Sequence, residues 1–185
     1  MKKIYFIPGT LIVIIIVFLI LGFIYPFSFF NVTHKVSVTS SHYVVQGHQK
    51  EINKFHLLQK KAYLNKDTRT LIEETKQYLT QKWLLQKHYK FSYNDIVAQK
   101  QLTKNLLFDV DSYRKQNRRS LSQSANEYLL NFRNNLSEVV QNSNIILNTH
   151  MLKRNTLRTL IFNLRDSYEN TASSVNLFLK QIERS

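Results

Sequence analysis

From His48 to Ser185 the chain contains neither glycine nor proline. Average usage would put roughly 12% of these two residues into such a stretch. Glycine supplies the positive φ of tight hairpin turns, and proline presets the first corner of many others. Without either, hairpin-built β architecture is excluded, and so is a glycine loop that cradles phosphate. The stretch is expected to be helical.

A second feature lies upstream. Between Ile4 and Phe30 the chain runs 27 residues without a charge. A signal-peptide core needs only about 7–15 apolar residues, whereas a membrane-crossing helix needs roughly 20. Pro8 is tolerated in a first helical turn, and Pro26 biases Tyr25 away from the helical region, which predicts a helix over Pro8–Tyr25. Tyr5 and Phe6 at one end, and Tyr25, Phe27, Phe29 and Phe30 at the other, suit the two headgroup layers. No small-residue cleavage site follows the run closely, and no cysteine exists to carry a lipid. The run reads as an uncleaved signal-anchor of a single-pass membrane protein. Lys2 and Lys3 precede it, and Lys35 is the only Lys or Arg in the fifteen residues after Phe30. The positive-inside rule then places the N-terminus in the cytoplasm and residues 31–185 outside the cell membrane.

The remainder is long enough for one domain with its own core, and it must fold without disulfides. Usage rich in Lys, Asn, Ile and Leu and poor in Ala and Gly suits a low-GC, Gram-positive bacterial genome. Residues 35–47 are β-branched and partly alternating, but a lone strand has nothing obvious to pair with, so 31–48 reads as an extended stalk. Periodicity then predicts helices over 49–64, 68–90, 93–116, 121–149 and 155–183. Ser92-x-x-Asp95 has the form of a capping box at the third, while Thr70-x-x-Glu73 or Asp67 serves the second. The third carries Ala98, Leu102, Leu106 and Tyr113. The last two carry the clearest apolar stripes, Leu121–Ala125–Tyr128–Phe132–Leu136–Val139–Ile146 and Leu157–Leu160–Leu164–Tyr168–Val175–Leu179–Ile182. Residues 148–156, crowded with weak helix formers, read as a turn between them; the rival is one continuous helix. The expected fold is all-α, with one N-terminal transmembrane helix (1–30), a stalk (31–48) and an antiparallel helical bundle or long helical hairpin (49–185).

Little in the chain reads as catalysis. Ser112-x-x-Lys115 has the shape of a serine–lysine motif but lacks the companions that chemistry requires. Asp109-x-Asp111 places two carboxylates two residues apart, which point apart on a helix. His34, His42, His48, His56, His88 and His150 show no metal-ligand spacing, and the three in the stalk read as solvated side chains rather than a pH-sensing group. No metal, cofactor or enzymatic activity is expected.

One charged stretch stands out: Arg114, Lys115, Arg118 and Arg119, within six residues and followed by a serine-rich run. It reads as a solvated inter-helix loop that can also bind a polyanion, such as an anionic envelope polymer or lipid headgroups. Nucleic acid is disfavoured because no stacking platform or recognition motif accompanies the charge. The expected function is a non-enzymatic scaffold whose bundle docks to another envelope protein or to itself. The alternatives are an extracytoplasmic binding module, of sensor or immunity type, that captures an anionic polymer or small ligand, and an accessory subunit of a secretion or conjugation apparatus.

Overall fold

The computed structural model describes residues 6–28, 31, 34–61, 66–149 and 151–182. Lys2, Lys3, Tyr5, Phe29, Phe30 and His150 lie outside them. The chain runs α1 (Phe6–Ile24), β1 (Lys35–Thr39), α2 (His42–Lys61), α3 (Lys66–Leu79), α4 (Lys82–Leu85), β2 (His88–Ser92), α5 (Tyr93–Asn117), α6 (Gln123–Asn148) and α7 (Arg154–Ile182). It is mostly helical, as the loss of glycine and proline requires. Among the described residues no helix is long and apolar enough to cross a membrane.

Both apolar stripes of the C-terminal half are buried. On α6, Ala125, Phe132, Leu136, Val139 and Ile146 face inward; on α7, Leu157, Leu164, Tyr168, Val175 and Leu179 do. The two helices pack along their length, α5 lies against α6 and α3, and α2 lies against α7. The chain leaves helical geometry between Asn148 and Arg154, so the two stripes belong to separate helices joined by a turn. Asn135 donates to Ser174 and Asn142 to Ser167, contacts whose reversed order marks α6 and α7 as antiparallel.

Three expectations need correction. Residues 35–39 are no stalk, because β1 pairs antiparallel with β2 in the register Val36↔Phe91 and Val38↔Tyr89. Val36, Val38 and Phe91 are thereby buried together. The partner strand sits inside the predicted helix 68–90, which stops at Leu79. There Gln81 turns extended, and its amide donates to the Tyr78 carbonyl while its oxygen accepts from the Trp83 indole N–H. A local pattern cannot display a ladder made with residues about fifty positions away. Second, α2 begins at His42, so Gly47 and His48 are helical. Third, the buried face of α5 is Ile96, Thr103, Leu106, Val110 and Tyr113, while Ala98 faces solvent. The capping box is formed: the Ser92 hydroxyl accepts from Asp95 N–H, and the Asp95 carboxylate accepts from Ser92 N–H.

The molecule has two ends. Phe27 meets Tyr93 edge to face at 6.1 Å, and Arg154 Nε donates to the Phe23 carbonyl at 2.7 Å, so α1 ends where α5 and α7 start. His34, at φ 45°, turns the chain from this foot into β1, and its carbonyl accepts from Tyr93 N–H. From Tyr93, α5 climbs 25 residues, about 37 Å at 1.5 Å each, to the α5–α6 turn. Residues 9–20 of α1 are exposed, so no described element of the body buries them.

Candidate anion-binding cleft

At the far end the α5–α6 turn is closed by side chains in place of glycine. Asn117 Nδ2 donates to the Tyr113 carbonyl, and Ser120 Oγ donates to the Asn117 carbonyl. Ser122 caps α6 by accepting from Ala125 N–H at 3.2 Å, and Asn126 Nδ2 reaches back to the carbonyls of Leu121 and Ser122. This turn brings the end of α5 against the start of α6. A cleft of about 490 Å³ opens between them, lined by Asp111, Arg114, Lys115, Arg118, Gln123 and Asn126.

Arg114, Lys115 and Arg118 share this cleft because residues three and four apart stand on one helical face. Arg119 is exposed in the turn and does not line the cleft. Arg114 and Lys115 also occupy the last turn of α5, where the helix dipole favours cations. Asp111, the one acid in the lining, is engaged by Arg133 of α6 at 3.0 Å. That pair leaves three cations facing the opening. Gln123 donates to Glu127 Oε1, so one further carboxylate stands at the rim.

The other motifs disperse. Ser112 faces a shallower hollow beside α3, whereas Lys115 faces α6, so no serine–lysine pair forms. Asp109 and Asp111 point apart, as a spacing of two on a helix demands. Asp109 approaches Glu74, whose carboxyl is held above the usual range by its burial and then by the Asp109 charge. Among the described residues no three His, Asp or Glu side chains gather to hold a metal ion.

Sequence reasoning missed a buried polar layer. Arg165 is 4% exposed and donates to Ser40 Oγ and to the Leu84 carbonyl, tying α7 to the ends of β1 and α4. His48 is not a solvated stalk residue. It is 1% exposed, with Nε2 3.0 Å from the Leu79 carbonyl and Nδ1 unpartnered. Its pKa is lowered, chiefly by burial and further by the Arg165 charge. Asn176 donates to both the carbonyl and the carboxylate of Glu51, across α2 and α7. A helical wheel could have revealed Arg165, since it stands four residues after Ile161 and beside Leu164 on the apolar face. These groups are enclosed, so they hold the fold rather than meet a ligand.

Comparison with protein-family models, with curated proteins and with solved structures finds no match to this chain.

Proposed function

We propose that the chain is a membrane-anchored binding module that holds a polyanion in the cleft between α5 and α6. The observation that carries this reading is the cleft itself, about 490 Å³, in which Arg114, Lys115 and Arg118 converge while the one acid of its lining is paired with Arg133. The anchor is α1 with its uncharged flanks. Leu11 to Ile20 present exposed apolar side chains around the whole helix, and each such side chain forgoes about 1.5–3 kcal/mol if left in water. A helix apolar all round belongs in a core or in lipid, and no core surrounds it.

The direction of the body narrows the ligand. With the foot at the membrane and α5 upright on it, the cleft stands up to one α5 length, roughly 37 Å, from the bilayer edge. That distance exceeds the screening length of about 8 Å several-fold. Headgroups of the protein's own membrane are therefore out of reach of this cleft, and a phosphate-bearing wall polymer of the teichoic acid type suits it better. Arginine forks pair with phosphate through two parallel hydrogen bonds. Lys2 and Lys3 against a lone near-flank Lys35 favour an outward-facing body.

The scaffold reading has less support. Large exposed apolar residues on the body are dispersed, with Tyr43 and Leu57 on α2, Tyr93, Val97 and Phe108 on α5, Ile145 on α6, Met151 in the turn after it and Phe162 on α7. Scattered residues of this kind are normal and do not make a docking stripe.

The test uses the full chain in vesicles of zwitterionic lipid and purified teichoic acid, beside a variant with Arg114, Lys115, Arg118 and Arg119 changed to Gln. Wild type should bind in dilute buffer, weaken steeply with salt, and lose most of its affinity in the variant. Equal binding by the variant overturns the cleft assignment. A C-terminal reporter active only in the cytoplasm, if bright, overturns the orientation.

A further inference from the structure

At the opposite end of the molecule a second set of cations gathers at the foot of α1. Arg154 lies with its guanidinium carbon 4.4 Å from the centre of the Phe23 ring and donates Nε to the Phe23 carbonyl. One turn along α7, Arg158 donates its Nε to the Ser37 carbonyl of β1 at 3.2 Å. In both cases the inner nitrogen is fixed to backbone, and the outer fork of the guanidinium is not used by that bond. The two charges are near enough for Arg158 to depress the Arg154 pKa, after the larger effect of burial. Lys153 stands beside them, exposed. None of the three makes an ion pair with a carboxylate of the described residues. Like charges held side by side without a counter-charge are repulsive, and a bound anion relieves that repulsion.

The surroundings select the anion. Phe23 is 68% exposed, and Ile24 next to it is also exposed. On the anchor reading, which this inference rests on, these side chains lie where acyl chains meet headgroups. An Arg laid over such a ring keeps its fork at the level of lipid phosphate while its stem and ring contact stay apolar. We propose that Arg154 and Arg158 together clamp the phosphate of an anionic phospholipid at the bilayer edge around α1, with Lys153 adding to the local field. This site is separate from the distal cleft. It sets the tilt of the body on the membrane, because one clamp partner also bonds the end of α1 and the other bonds β1.

The experiment uses the full chain in a neutral detergent, with phosphatidylglycerol and phosphatidylcholine added in competition and bound lipid counted by native mass spectrometry. Wild type should retain phosphatidylglycerol with about a tenfold preference, because both lipids offer a phosphate but the choline ammonium of phosphatidylcholine cancels its charge and is repelled by the two guanidinium groups. R154Q/R158Q should lose the preference, while the variant with all four distal cations changed to Gln keeps it. Phosphatidylglycerol, but not inorganic phosphate, should also raise the thermal unfolding midpoint of wild type. No headgroup preference in wild type overturns the clamp, a measurement that stands even if the double variant fails to fold. Equal stabilisation by inorganic phosphate overturns the lipid assignment. Flotation of wild type with phosphatidylcholine vesicles after alkaline carbonate separates the two readings. A chain that washes off removes the anchor and the clamp together, whereas one that stays but shows no preference removes the clamp alone.

Discussion

Mild acid should destabilise this fold through His48. Its Nε2 lies 3.0 Å from the Leu79 carbonyl, which places the proton there and leaves Nδ1 as a bare, enclosed acceptor. Protonating Nδ1 would create a donor without a partner and a charge facing Arg165. The folded-state pKa therefore lies below the ordinary value of 6.5, with burial the largest cause; the Leu79 bond and Glu51 act in the opposite sense. In the unfolded chain the ring titrates normally. As pH falls below about 6.5 the unfolded state takes up a proton that the native state refuses, so stability present above that pH is lost on acidification. One proton sets a ceiling of about 1.4 kcal/mol per pH unit until the native pKa is reached. Between about pH 7 and pH 5.5 that ceiling amounts to about 1 kcal/mol, at most about half a molar in a urea midpoint.

Other groups titrate nearby. Glu169, with its carboxyl raised by burial and then by Asp166 and Glu51, works in the opposite direction over the carboxylate range. The measurement is therefore a comparison with His48→Gln, which can still donate to the Leu79 carbonyl but cannot titrate. Urea unfolding of both full chains in neutral detergent, followed by far-ultraviolet circular dichroism, should show wild type losing stability on acidification more than the variant. If the two midpoints fall in parallel, His48 is not the group responsible and the argument from its burial is wrong.

Phe132→Asp places an unpaired charge at a fully buried position of α6 and should cost about 3–5 kcal/mol, enough to abolish cooperative thermal unfolding. Asp111→Asn removes the acid of the cleft and releases Arg133. It should cost under about 1 kcal/mol, since both side chains are one-third exposed, while teichoic acid binding at low salt becomes tighter; weaker binding would argue against the cleft. Gly47→Ala replaces a glycine inside α2, where its new Cβ would stand 3.0 Å from Glu169 Oε1, the end of a flexible side chain. The carboxylate can shift, so a gain of about 0.5–1 kcal/mol in helix propensity should survive as a higher melting temperature.

Helix content, the two C-terminal stripes, the turn between them and the Ser92 capping box were all legible in the residues, because each rests on neighbours within a few positions. The density of charge at Arg114, Lys115 and Arg118 was equally plain. That these three side chains share one cleft while Arg119 stands aside depends on where α6 returns after the turn, and Asp111 is paired with a residue 22 positions away. The pairing of β1 with β2 was hidden for the same reason: its closest partners are separated by 49 residues, and each strand alone matched another structure equally well. His48 looked solvated because its enclosure is built by Leu79 and Arg165, which approach only once α2 meets the end of α3 and lies on α7.

By itself, then, the sequence determined that this chain has a charge-free apolar segment joined to a basic, cysteine-free helical body, since composition and periodicity act locally. Which cations line the distal cleft and which gather at the foot of α1 was decided by tertiary structure alone. Arg154 reaches Phe23 across 131 residues because α6 carries the chain back to the base before α7 starts. An electrostatic site is a property of distance in space, and only the packing of antiparallel helices converts chain positions into that distance.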